Sequence, residues 1–111
     1  MNITGLTYLL VVFCTGSMTG NNSICHQNGE VYDMQVQFML PNENLIVGKI
    51  YAYETDRANF PYTVHRLIDK GNVNTFPILK GDSNSIAEQP KYRERIKFKV
   101  LSWKKSWRSL I

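Results

Sequence analysis

A chain of 111 residues, 43% hydrophobic and carrying a formal net charge of +4, is sized for one small domain with a modest core. Its two cysteines form no C-x-x-C pattern, which leaves a zinc or thiol-redox centre without a basis. A P-loop and a dinucleotide glycine pattern are also missing, so those nucleotide-binding classes are set aside.

In chain order, the first feature is an apolar run from Leu6 to Phe13, followed by the small residues Thr15, Gly16 and Ser17. It is too short to span a bilayer and has the length of a leader's hydrophobic region. Cleavage after Gly16 or Gly20 would leave small residues at the cut, although no lysine or arginine precedes the run. The alternative is a buried first strand. With residues 1–20 read as a signal peptide, the mature domain is 21–111 and is expected in the secretory pathway, extracellular or at the cell surface. Cys14 would leave with the leader, and Cys25 would be unpaired, either a buried apolar residue or a thiol seeking a partner. Asn21-Asn22-Ser23 is an N-glycosylation sequon, with Asn21 as the acceptor.

Val31 to Tyr53 holds the clearest pattern. Tyr32, Met34, Val36, Phe38 and Leu40 alternate with Asp33, Gln35 and Gln37, the period of a strand with one apolar face. Pro41-Asn42-Glu43-Asn44 breaks the pattern, and Leu45 to Tyr53 reads as a second, more deeply buried strand. Gly48 within it marks a bulge or a close approach. Phe60 to Leu67 predicts a strand with Phe60, Tyr62 and Val64 on one face and Pro61 near its start or on an edge. Phe76-Pro77-Ile78-Leu79 is short and apolar, and a weak run surrounds Ile86. From Arg93 to Trp103, Ile96, Phe98 and Val100 alternate with Arg95, Lys97 and Lys99; Trp107 and Leu110-Ile111 suggest a closing strand. No run recurs at helical spacing. About seven short strands separated by turn signals predict an all-β, antiparallel β-sandwich.

Cys25-His26-Gln27-Asn28-Gly29, then Tyr32 with its alternating strand, then Leu45-Ile46-Val47-Gly48-Lys49-Ile50, resemble the prodomain of type-I and desmosomal cadherins. Phe76-Pro77-Ile78-Leu79 with Gly81-Asp82 is similar to that family's Phe-x-Val-x-x-Asp-Gly stretch. Lys97-Phe98-Lys99-Val100-Leu101-Ser102-Trp103 looks like its penultimate strand. The resemblance implies a Greek-key, cadherin-like sandwich of immunoglobulin-like architecture. It also implies a role in cell–cell adhesion: masking a following adhesive repeat, of the same or a related chain, until a convertase removes the module. The partners implied are that repeat and other cadherins. Three departures stand out. Thr55 occupies the place of the family's second cysteine, the connection from Ala52 to Phe76 is longer, and no Arg-x-Lys/Arg-Arg site occurs. The chain is therefore expected to be either a fragment or a stand-alone relative, meeting a membrane only through a downstream segment.

Glu43, Glu54, Asp56 and Glu94 resemble acids of a calcium-binding adhesive repeat, which is the alternative within the same family. Calcium takes six to eight oxygens held together, whereas acids isolated on turns are ordinarily solvated. No cofactor is therefore expected, calcium being the one ion these acids would serve. From Lys91 to Arg108 eight side chains are basic and only Glu94 is acidic. With Trp103 and Trp107, that stripe would suit a secreted protein that binds an acidic polysaccharide. The plainer reading is a solvated strand face whose charges discourage edge pairing, and nucleic acid is not an expected partner. Nothing brings Asp33 and Glu54 together, and His26 and His65 lack a nucleophile motif, so no enzymatic activity is expected.

Overall fold

The structure, a computed structural model, describes residues 6–20, 22–57, 60–87 and 91–107. Six strands follow in chain order: β1 (Tyr8–Phe13), β2 (Val31–Phe38), β3 (Ile50–Glu54), β4 (Tyr62–Asp69), β5 (Ile78–Lys80) and β6 (Ile96–Lys105). A single 3-10 turn at Arg93–Arg95 leads into β6. All neighbours pair antiparallel in one sheet of order β1-β2-β6-β3-β4-β5. The chain is all-β, as expected, with its described strands in one sheet. Two expected strands differ. Leu45–Lys49 is a turn-rich lead-in to β3, and the run at Ile86 forms no strand. Trp107 lies beyond β6, and Leu110 and Ile111, like Asn21, fall outside the described residues.

The apolar run Leu6–Phe13 supplies β1, whose register against β2 runs from Tyr8↔Val36 to Phe13↔Val31. Leu10 and Val12 thereby join Tyr32, Met34 and Val36 in the larger core cluster, the physical gain of keeping this segment in the sheet. Cys25, expected unpaired, is bonded to Cys14, eleven residues away in sequence. The alternation read in Val31–Leu40 is what β2 shows: Tyr32, Met34 and Val36 share a buried face and Phe38 extends it against Phe98 at 4.5 Å.

β6 lies between β2 and β3, so the runs flanking Pro41–Asn44 are not hairpin partners. The intervening chain crosses the sheet instead: Ile46 N–H donates to Tyr51 Oη at 2.9 Å, and Leu45 and Met39 pack on Tyr51, Tyr53, Leu67, Leu79 and Ile96. Gly48 sits in that crossing at φ +95°, a conformation natural to glycine, and donates to Leu67 O at 2.9 Å. Leu67 N–H donates in turn to Lys49 O at 2.9 Å, so Gly48 and Lys49 together oppose Leu67. This is the glycine bulge expected here, at the end of a turn closed by Lys49 N–H and Ile46 O.

Two further bulges lie on β6. Register slips at Gln35/Val36 and at Ala52/Tyr53 each leave one extra residue on β6, Leu101 and Lys97 respectively. The second slip places Ile96 with Tyr53 while Phe98 stays opposite Ala52, so Ile96 and Phe98 enter different core clusters. Bulges bend and twist a sheet, and this one curls. In a flat sheet β1 and β4 would stand roughly 19 Å apart, four strand spacings. Here Leu10, Val12 and Tyr62 pack on one cluster, and the Phe13 and Phe60 rings meet edge-on at 6.4 Å.

Candidate functional site

The curl brings β1 opposite the first half of β4. β5 covers β4 only over Arg66–Asp69, so Tyr62–His65 pair with β3 alone among the described strands. The open side of that half-strand faces β1 and the strap that follows it, residues 14–20. Between them lies a cleft of about 230 Å³. Leu10, Val12 and Phe13 line one wall, Phe60, Tyr62 and Val64 the other, with Met18 and the Cys14–Cys25 disulfide among the lining groups.

The strap is fastened at several points. Cys25 N–H donates to Met18 O and Gly20 N–H to Cys25 O, both at 2.9 Å, and Cys14 N–H donates to Glu30 O at 2.9 Å. Ser83, just past β5, donates its N–H to Ser17 O at 2.8 Å, and its hydroxyl to Thr19 O. Arg66 ties the surrounding loops together. Its Nε and Nη2 meet the two Asp82 carboxylate oxygens at 2.8 Å each, Nη1 donates to Gly48 O at 2.7 Å, and Nη2 to Asn22 O at 3.2 Å. The guanidinium holds the Asp82 carboxyl below its ordinary range, against partial burial.

On the other side of the strap a polar depression adjoins the cleft. The two share Thr15, Ser17, Arg57 and Thr63 along their common rim. The depression adds Tyr53, His65, Asn84 and Lys91. Arg57 Nη2 donates to Thr63 Oγ1 at 2.9 Å and its guanidinium lies 5.9 Å from the Phe60 ring centre; the Lys91 ammonium lies 5.1 Å from that of Tyr53. His65 is buried, with Nε2 3.2 Å from Ser17 Oγ and Nδ1 3.3 Å from Tyr53 Oη. Hydroxyl, imidazole and hydroxyl in a row resemble a nucleophile, base and orienter. A neutral phenol, however, offers little to an imidazolium formed in such a reaction. The row instead satisfies both nitrogens of a buried ring and pins the strap to the sheet.

The residues singled out for calcium are dispersed. Glu43 meets Lys99 at 2.6 Å, Glu54 meets Lys97 at 3.5 Å, and Asp56 meets Arg95 at 3.2 Å; Glu94 lies in the 3-10 turn. Among the described residues no three His, Cys, Asp or Glu groups are placed to share an ion. The same pairs alter the basic stripe: with Lys105 beside Glu30 at 3.2 Å, four of its cations already face carboxylates. His26 is an exposed turn residue whose N–H donates to Glu30 Oε1 at 3.0 Å, far in role from His65. No helix of the described residues is long and apolar enough to cross a membrane.

Comparison with protein-family models, with curated proteins and with solved structures finds no match for this chain. The groups around the cleft carried little signal in the sequence. Ser17 and Met18 stood inside the expected leader, and Arg57 stood in an ordinary polar connection. Lys91 belonged to the basic run, yet its ammonium lies over the Tyr53 ring.

Proposed function

We propose that this chain is a small extracellular binding protein that keeps β1 and takes a small apolar guest into the cleft between β1 and β4. The observation that supports the reading is the cleft itself, apolar-walled and bordered by a cross-linked strap that holds its two sides at a fixed separation. Ligand sites are mostly apolar concavities with a few placed polar groups, commonly of about 300–1,000 Å³; a smaller cleft suits a small guest. A disulfide favours an oxidising compartment. The role is binding, without catalysis or a cofactor.

Titration of the full-length oxidised protein with 1-aminoanthracene, a neutral fluorescent probe, tests the reading. Saturable binding is expected, and Val12→Trp, which fills the cleft, is expected to abolish it while the circular-dichroism spectrum stays unchanged. A wild-type protein that leaves the probe unbound refutes the proposal.

One observation favours a second reading. The strand order β6-β3-β4-β5 is compatible with a Greek key, an arrangement found in most β-sandwiches, which supports the cadherin-type expectation. A masking module of that kind folds without calcium. A Tm that rises steeply with millimolar calcium would favour an adhesive repeat instead.

A further inference from the structure

The cleft reading says that a guest enters; the rim says which end of the guest stays outside. We infer that the guest is a single-chain amphiphile with an anionic head, its tail between β1 and β4 and its head between Arg57 and Lys91. The inference rests on the cleft reading and adds the charge of the ligand.

Arg57 belongs to both concavities, and Lys91 lines the polar one. A chain lying in the cleft and crossing the rim at Ser17 and Thr63 passes directly under the guanidinium. Both cations differ from four in the basic stripe. Lys97, Lys99, Lys105 and Arg95 each face a carboxylate, whereas Arg57 is held by the Thr63 hydroxyl and Lys91 by the Tyr53 ring. A hydroxyl and an aromatic face orient a cation without neutralising it. Among the described residues neither meets a carboxylate, so positive charge stands at the mouth of an otherwise apolar cleft, the complement of an anion on a hydrocarbon tail. Thr15, Thr63 and Asn84 add uncharged hydrogen-bonding groups around the same rim. A phosphate and a carboxylate head share this chemistry.

The test is competition against bound 1-aminoanthracene at pH 7.4 and low salt, using decanol, decanoate, decyl phosphate and decylammonium below their micelle concentrations. Decanoate or decyl phosphate is expected to displace the probe about tenfold more tightly than decanol, the scale of a charge-assisted hydrogen bond. Decylammonium is expected to be weakest, and added salt should narrow the gap. In the double variant Arg57→Gln/Lys91→Gln the ratio of anion to decanol affinity should fall to about one. The ratio between the two anions tells whether the head is carboxylate or phosphate. Decanol equal to both anions overturns the inference and leaves the cleft reading standing. An anion preference that survives the double variant overturns the assignment to these two cations. Failure of every decyl compound to displace a probe whose binding Val12→Trp abolishes overturns the amphiphile and leaves the cleft reading standing.

Discussion

Glu30 carries more connections than its position just before β2 suggests. Its Oε1 accepts from the N–H groups of His26 and Gln27, both at 3.0 Å, and from Tyr32 Oη at 3.2 Å, while Oε2 faces Lys105. The Gln27 amide is the largest cause that lowers its pKa, followed by Lys105, His26 and Tyr32; together they bring it from 4.5 to about 2. A carboxylate held low in the folded state stabilises fully above its unfolded value and loses that contribution as pH falls through the folded one. Urea midpoints are therefore expected to drop between pH 4.5 and about 2. Glu30→Gln should lower the midpoint at pH 7 and flatten that acid limb. An unchanged limb would show that Glu30 is a bystander. Three of its donors are local, from the turn before Glu30 and from Tyr32, and only Lys105 is brought to it by the pairing of β2 with β6. Nothing in the sequence marked the turn that aims the two amides at its carboxylate.

Among the elements, β2 was the most legible because its alternation is uninterrupted and its apolar face is buried from Tyr32 to Val36. β6 was read with the right bounds to within a few residues and with Phe98 and Val100 on a shared face. Ile96 falls on the other face, because a bulge is one extra residue and leaves no mark in composition. β3 was read too long, since Leu45, Ile46 and Val47 are as β-prone as a strand although Gly48 turns them out of it. Turns make the sharpest local test. Gly71 has φ +74°, and a Cβ there would stand 2.7 Å from Thr75 O and 2.8 Å from Phe76 C. Gly48 has φ +95° with open space around a Cβ. Gly71→Ala is expected to cost about 2–4 kcal/mol, strain plus clash, and Gly48→Ala about 1–2 kcal/mol, strain alone. Urea denaturation of the two variants checks the order; equal costs would mean that the backbone at 71–77 relaxes freely.

At the scale of the molecule, two things turn six strands into a site: the bulged β6 that curls the sheet, and the strap that sews its open side. The leader-like reading of Leu6–Phe13 and the strand reading draw on the same apolar residues, and length alone does not separate them. In the structure the run pairs as a strand, Leu10 against Met34, and Cys14 is bonded to Cys25, neither of which spacing revealed. Loss of the cross-link by Cys14→Ser/Cys25→Ser is expected to cost about 2–4 kcal/mol in urea denaturation and to weaken 1-aminoanthracene binding as the cleft loses its fixed width.

Native-state hydrogen exchange of the full oxidised chain asks most directly whether β1 belongs to the fold. The β1 amides that face β2 should exchange as slowly as those of Met34 and Val36. If residues 8–13 exchange at free-peptide rates while β2 and β6 stay protected, the cleft has only one wall and the account fails.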